Sequence, residues 1–145
     1  MQFLAELMIY KAYALIFDET LSYNHLKGCD YMSKNYLLIY SEQLATDIEL
    51  LCQNIKAPSN TLFQIRKSSS SVFANIREAN YGQSRADMLS KFEIALKECS
   101  ETEGWLQLLF NTKSIDEDTF KKNRNLCGRI RRLLIASCKT LKEKS

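Results

Sequence analysis

The sequence predicts an all-α protein, an antiparallel up-down four-helix bundle with an extra helical extension at its N-terminus. Three observations lead to this class. The 145 residues are 46% hydrophobic and 26% charged, the balance of one folded domain. They include one proline and four glycines, far fewer turn-forming residues than a chain of β-hairpins needs. From Ser33 onward, apolar residues recur at steps of three and four, the period of an amphipathic helix.

The first 31 residues are predicted to form an N-terminal extension, separate from a bundle domain at 32–145. The apolar run from Phe3 to Phe17 is shorter than the roughly 20 residues of a membrane span and contains two charges. We interpret it as an extra helix, followed by an irregular connector over 18–31, where apolar periodicity stops. An equally weighted alternative is that translation starts at Met32, which would leave the extension upstream of the protein.

Four stripes of apolar and small residues define the four predicted bundle helices, and short turns between them make sequential neighbours antiparallel. In chain order, the stripes are Leu37, Ser41, Leu44, Ile48, Leu51 and Ile55; Leu62, Ile65, Ser69, Val72, Ile76 and Ala79; Leu89, Phe92, Leu96, Cys99, Leu106 and Phe110; and Phe120, Asn123, Cys127, Ile130, Leu134, Ser137 and Leu141.

The helix boundaries follow from local turn chemistry. Pro58 ends the first helix, because the residue before a proline avoids the helical region. Gly82 is predicted to end the second helix in a left-handed conformation, and Ser84 to cap the third. The sequence "SIDE" predicts a capping box for the fourth helix, in which Ser114 caps and Glu117 reaches back.

Charge is concentrated near the C-terminus. From residue 116 onward there are nine Lys and Arg against four Asp and Glu, a balance of +5, while the other eleven bases and thirteen acids give −2. This excess favours contact with the phosphates of RNA or DNA, without base stacking, because no aromatic residues are interleaved with the bases. The alternative is a solvated helix whose bases complement its dipole. The candidate nucleic-acid-binding residues are Arg66, Arg77, Lys121, Arg124, Arg131, Arg132 and Lys139.

A second, partly apolar line runs along the third helix beside its main stripe. We predict that Ile94, Trp105 and Leu108 on this line form an interface between copies of the chain, because a monomeric bundle buries one stripe per helix. Two alternatives remain. The N-terminal helix could cover the line, or its members could be ordinary boundary positions on a wide core face.

The sequence offers little for catalysis, so we predict no enzyme activity and no cofactor or metal. The one histidine, His25, lies in a predicted loop, and no Gly-rich phosphate loop or metal-binding spacing is present. The five cysteines are odd in number and widely spread, which favours neither a disulfide framework nor a zinc site. Free thiols fit a reducing cytoplasm. The short, charged apolar run at the N-terminus predicts no membrane attachment.

The stretch "ANIREANYGQSRADMLSKFEIALKECSETEGWLQLL" resembles a four-helix-bundle family. That family comprises the rRNA intervening-sequence proteins and the accessory variability determinants of diversity-generating retroelements. In the retroelement branch, the resemblance implies a ring-like homopentamer that presents basic surface to nucleic acid and associates with a reverse transcriptase. The function expected from it is a non-enzymatic, oligomeric accessory protein that binds RNA or DNA and a reverse transcriptase. The alternative is an oligomeric scaffold of the intervening-sequence type with no nucleic-acid role.

Overall fold

The computed structural model describes the backbone of residues 28–143 and the side chains of residues 36–143. This part of the chain folds as four α-helices: α1 (Gly28–Asn54), α2 (Ser59–Asn80), α3 (Arg85–Asn111) and α4 (Glu117–Glu143). The all-α class is therefore confirmed. No helix among the described residues is long and apolar enough to cross a bilayer.

Most of the predicted extension, including the helix over Phe3 to Phe17 and the loop histidine His25, lies outside the described residues. Its last four positions, 28–31, are helical and belong to α1, although the connector was predicted to continue through them. The difference arises because loss of apolar periodicity does not locate a helix start to within a turn.

Contacts between α2 and α3 show that these helices are antiparallel. The Thr102 hydroxyl of α3 donates a hydrogen bond of 2.9 Å to the Ser68 hydroxyl of α2. Farther along, the Lys91 ammonium lies 2.7 Å from the Glu78 carboxylate. Residue numbers thus rise along one helix as they fall along the other. Ser68 is buried, and a bond between two short side chains requires the two helices to approach closely.

The fourth helix closes the bundle by packing against both α3 and α1. Its contacts with each neighbour also run in opposite directions along the chain, so all sequential and closing pairs are antiparallel. The contacts are Glu93 with Lys142 and Phe110 with Phe120 on the α3 side, and Asp47 with Lys122 and Tyr40 with Arg129 on the α1 side. The edge between α1 and α2 consequently lies across the bundle from the edge between α3 and α4.

The core consists of one buried face from each helix. Its fully enclosed apolar members are Leu37, Leu44, Ile48, Ile65, Val72, Ile76, Ala79, Phe92, Ala95, Cys99, Leu106, Leu109, Cys127, Ile130 and Leu134. The third stripe is displaced from its prediction, because Ala95, Thr102 and Leu109 are buried while Leu89 and Leu96 are only partly so. A threonine fits this apolar face because its hydroxyl is hydrogen-bonded.

The turn between α2 and α3 confirms one prediction and corrects another. The Ser84 hydroxyl accepts a hydrogen bond of 3.1 Å from the Asp87 amide, as an N-cap does. Gly82, however, is not left-handed, so the predicted conformation is wrong. A Cβ at Gly82 would lie 3.1 Å from the Asp87 carboxylate and 3.2 Å from the Ala79 carbonyl oxygen. Close packing within the turn, rather than backbone conformation, favours glycine here.

The predicted capping box at the start of α4 is also wrong. Asp116 caps the helix instead, since its carboxylate accepts a hydrogen bond of 2.8 Å from the Thr119 amide. The helix starts later because Ile115 is drawn into the core just before the cap, with Phe120 buried one turn after it. Apolar residues on both sides of a cap fix the angle at which the chain enters the helix. Ser114 instead exchanges a hydrogen bond with the Thr112 hydroxyl.

Candidate nucleic-acid interface

Four of the predicted basic residues line one exposed face of α4. Lys121, Arg124, Arg132 and Lys139 follow one another at helical spacing, and Gly128 occupies the position between the two arginines. Each of these four basic residues directly follows a residue that faces the core or its edge, so the four side chains point away from the core. We call Lys121, Arg124, Arg132 and Lys139 the basic row.

An open groove of about 390 Å³ lies at the middle of the basic row, and Gly128 is one of its lining residues. Because glycine has no side chain, the Arg132 guanidinium packs down over the helix there, and Gly128 itself is buried. Four guanidinium groups and one carboxylate line the groove, which gives it a formal charge of +3. The lining residues are Arg124, Asn125, Gly128, Arg129, Arg131 and Arg132 of α4, and Glu103 of α3.

Two of the four guanidinium groups in the groove rest on aromatic rings. Arg124 lies 5.7 Å from the centre of the Phe120 ring, and Arg129 lies 6.0 Å from that of Tyr40. A ring face attracts a cation through its quadrupole and does not neutralise its charge. These contacts therefore orient the two arginines and leave their positive charge available to a ligand.

The other two guanidinium groups differ in their partners. Arg131 forms an ion pair and hydrogen bond with Glu103, whose side chain is only 19% exposed. One guanidinium carries five N–H donors, so this pairing leaves others for a ligand. Arg132 bends back over the groove floor, where its Nη1 atom lies 3.5 Å from the point a Cβ on Gly128 would occupy. Among the described residues, no carboxylate forms an ion pair with Arg132.

Both ends of the basic row are engaged in exposed ion pairs within α4. Lys121 lies 2.7 Å from the Glu117 carboxylate, and Lys139 lies 3.8 Å from that of Glu143. Exposed pairs at this spacing contribute only a few tenths of a kcal/mol. A phosphate can therefore replace either carboxylate partner at small cost.

Arg66 and Arg77 do not join the basic row. Both lie on α2, where Arg66 is 3.1 Å from Glu49 of α1 and Arg77 lies over the Phe73 ring at 6.0 Å. The Nε atom of Arg66 is buried and makes no hydrogen bond within the described residues, so this ion pair is poorly aligned. The structure thus places five of the seven predicted residues on α4 and two on α2, with Arg66 paired to α1 and Arg77 lining a pocket shared with α3.

Comparison with known proteins identifies the family. The 23S rRNA-intervening sequence protein family matches residues 37–136, more than half of the chain and including the whole groove lining. The chain belongs to this family. A solved structure from Bacteroides thetaiotaomicron, described as a protein with unknown function from the S23 ribosomal protein family, has the same fold. It is 37% identical, covers 74% of this chain and 98% of its own, and superimposes with a TM-score of 0.69. Comparison with curated proteins gave no match.

The interface predicted on α3 is partly exposed in this family member. Ile94 and Leu108 are each 40% exposed, while Trp105 is half-buried and packs against the core. Between them, burial followed by the nearby Glu101 carboxylate raises the pKa of Glu98 above its usual range. The line is therefore an apolar surface with two acids along it, on the side of α3 that faces α2.

Sequence reasoning missed three residues that line the groove and two that lie on exposed surfaces; of the groove residues, Gly128 is itself buried. Asn125, Gly128 and Arg129 line the groove, and a glycine one turn from an arginine on each side was the available signal. Leu50 and Phe63 are 53% and 60% exposed, more than the predicted interface residues. They lie off the main apolar stripes of their helices, so the periodicity of those stripes does not indicate them.

The described cysteines are structural rather than reactive. Cys52, Cys99, Cys127 and Cys138 are buried free thiols. The Cys99 thiol donates a 3.4 Å hydrogen bond to the Cys127 carbonyl oxygen, and contact with Cys99, together with burial, raises the pKa of the Cys127 thiol. A thiol whose pKa is raised is a poor nucleophile. Within the described residues, no three His, Cys, Asp or Glu side chains form a group that could hold a metal.

Proposed function

We propose that this member of the 23S rRNA-intervening sequence protein family is a non-enzymatic protein that binds the phosphates of RNA or DNA through the outward face of α4. One observation carries the proposal. The groove at the middle of the basic row has four guanidinium groups and one carboxylate, in a chain whose net charge is only +3. Arginine matches the geometry of phosphate oxygens through paired N–H donors.

The chemistry of this surface favours phosphate contacts over reading of bases. The groove lining contains no aromatic side chain on which a base could stack. Binding would then depend weakly on sequence and strongly on salt, because each neutralised phosphate releases counterions.

Assembly of several copies would strengthen such binding, since repeated basic rows act on one strand at high effective concentration. The exposed Ile94 and Leu108 support association through α3. The homopentamer and the reverse-transcriptase partnership rest on the family resemblance alone and remain predictions.

The test is a salt titration of binding by the wild type and by a triple variant, Arg124→Glu, Arg131→Glu and Arg132→Glu. The three changes alter the net charge by −6, from +3 to −3. We expect weaker binding to RNA and DNA of any sequence. Loss of three phosphate contacts should also flatten the plot of log affinity against log salt by about 2 to 3 units.

A charge-matched control separates the location of the charge from its total. Lys56, Lys67 and Lys113 are exposed and lie off α4, so changing all three to Glu gives the same net charge. This control should retain most of the slope. If both variants lose binding equally at matched helicity and oligomer mass, the α4 surface is not the interface. If neither loses any, the scaffold alternative is favoured.

A further inference from the structure

The glycine in the groove lining is not required by the protein's own packing. Gly128 lies in the interior of α4, where glycine weakens a helix relative to alanine. Its backbone is not left-handed. An added Cβ would meet only the Arg132 guanidinium, at 3.5 Å, which is an ordinary contact distance. The fold would therefore accept alanine and gain stability from it.

What alanine would fill is the space above the helix backbone that the flexible Arg132 side chain now covers, since Gly128 is buried beneath that guanidinium. The groove there is framed by Arg124 on one turn, Arg132 on the next and Arg131 toward α3. Glycine is the residue that lets a ligand approach the backbone closely. Three guanidinium groups that line one groove suit an anion with several acceptor oxygens, and a phosphate group has this chemistry.

We propose that the Gly128 groove is a discrete site for a single phosphate group, which sits against the glycine and accepts hydrogen bonds from Arg124, Arg131 and Arg132. Assigning that phosphate to a nucleic acid rests on the proposed function, whereas the site itself does not. The phosphate could be a phosphodiester within a strand or a terminal phosphate monoester. Both present the same oxygens to the arginines.

The test compares Gly128→Ala with Gly104→Ala, a matched control. Gly104 is also an interior helix glycine, has nothing within 4 Å of an added Cβ and lies outside the groove lining. Both variants should raise the Tm by about 2–4 °C, because alanine is the better helix former. Only Gly128→Ala should weaken the affinity for inorganic phosphate and for short RNA, by about tenfold, since displaced phosphate loses hydrogen bonds to charged groups.

The probes are inorganic phosphate and one short RNA with and without a 5′-phosphate. An equal loss for both RNAs supports a phosphodiester site, and a loss confined to the phosphorylated RNA supports a terminal site. Equal phosphate affinity in the two alanine variants would overturn the discrete site, as would a fall in Tm for Gly128→Ala. Neither result tests the proposed function, which the triple arginine variant tests. Conversely, a wild type that binds phosphate but no nucleic acid would support the phosphate site and contradict the proposed function.

Discussion

Glu103 is the one carboxylate that lines the Gly128 groove, and its replacement should move stability and binding in opposite directions. It pairs with Arg131 across the α3–α4 edge, with 19% of its own side chain and 43% of the arginine side chain exposed. Glu103→Gln keeps the size and a hydrogen-bond acceptor but removes the charge. The formal charge of the groove lining then rises from +3 to +4.

The stability loss should be modest because the ion pair is partly open to solvent. Such pairs contribute up to about 1 kcal/mol, and salt screens them. We therefore expect Glu103→Gln to lower the free energy of unfolding by about 0.5–1 kcal/mol at low salt. A double-mutant cycle with Arg131→Gln isolates this coupling from other effects of each change.

Binding should become tighter for two reasons. A carboxylate no longer repels the phosphate, and Arg131 no longer shares its donors with that carboxylate. Two like charges about 8 Å apart interact by about 0.5–1 kcal/mol at an effective dielectric of about 40–80. This corresponds to a gain in affinity of about two- to fivefold at low salt. The gain should shrink as salt increases.

The assay is phosphate and RNA titration of Glu103→Gln at several salt concentrations, alongside chemical denaturation. Glu42→Gln is the matched control, since Glu42 is exposed on α1 and lies outside the groove lining, and its change alters net charge by the same amount. Equal effects of the two variants on binding would refute a phosphate in the groove. If Glu103→Gln alone bound phosphate more weakly, the loss of the Glu103 contact that holds Arg131 in place would outweigh the gain of one positive charge in the groove.

Two further predictions concern the α4 cap and the α3 surface. Hydrogen bonds from Thr119 hold the pKa of Asp116 below its usual range, so the cap contributes stability above about pH 4. In thermal melts of the wild type, this contribution should fade as the pH falls through the lowered pKa of Asp116. Asp116→Asn keeps a hydrogen-bond acceptor without the charge, so its stability should depend less on pH. Identical pH profiles for the two proteins would contradict the cap assignment. Light scattering at micromolar concentration should give the mass of an oligomer for the wild type. Leu108→Glu should reduce that mass to one chain while the helical signal persists. A single-chain mass for the wild type would contradict the predicted α3 interface.

Much of the fold could be predicted from sequence because the period of apolar residues within each helix shows which face of that helix is buried. Leu37, Leu44 and Ile48 are spaced so that only one helical face includes them all, and that face is buried. The failures involve residues whose environment comes from another helix. Thr102 is polar by type and buried because Ser68, 34 positions away, accepts its hydroxyl. Spacing within one helix contains no information about such a partner.

The candidate site shows the same difference between positions within one helix and positions that depend on contacts between helices. Arg124, Arg131 and Arg132 were predicted as candidates on one helix, and they line one groove. Arg66 and Arg77 are eleven positions apart on the second helix, a spacing that predicts a common line on that helix and gives no position relative to α4. Their separation from α4 depends on the order of helices around the bundle, which is set by contacts between helices and not by the period within any of them.

That order also limits what one bound strand can touch. Arg66 is paired with α1, whereas the Gly128 groove opens on the side of α4 that faces α3. Neighbouring helices in a bundle are about 8–10 Å apart, so Arg66 and the groove are separated by the width of the core. A strand following α4 reaches Arg66 only by wrapping around the bundle. The groove on α4 gathers four guanidinium groups around one glycine, and it is there that the charge of the described residues favours the proposed phosphate ligand.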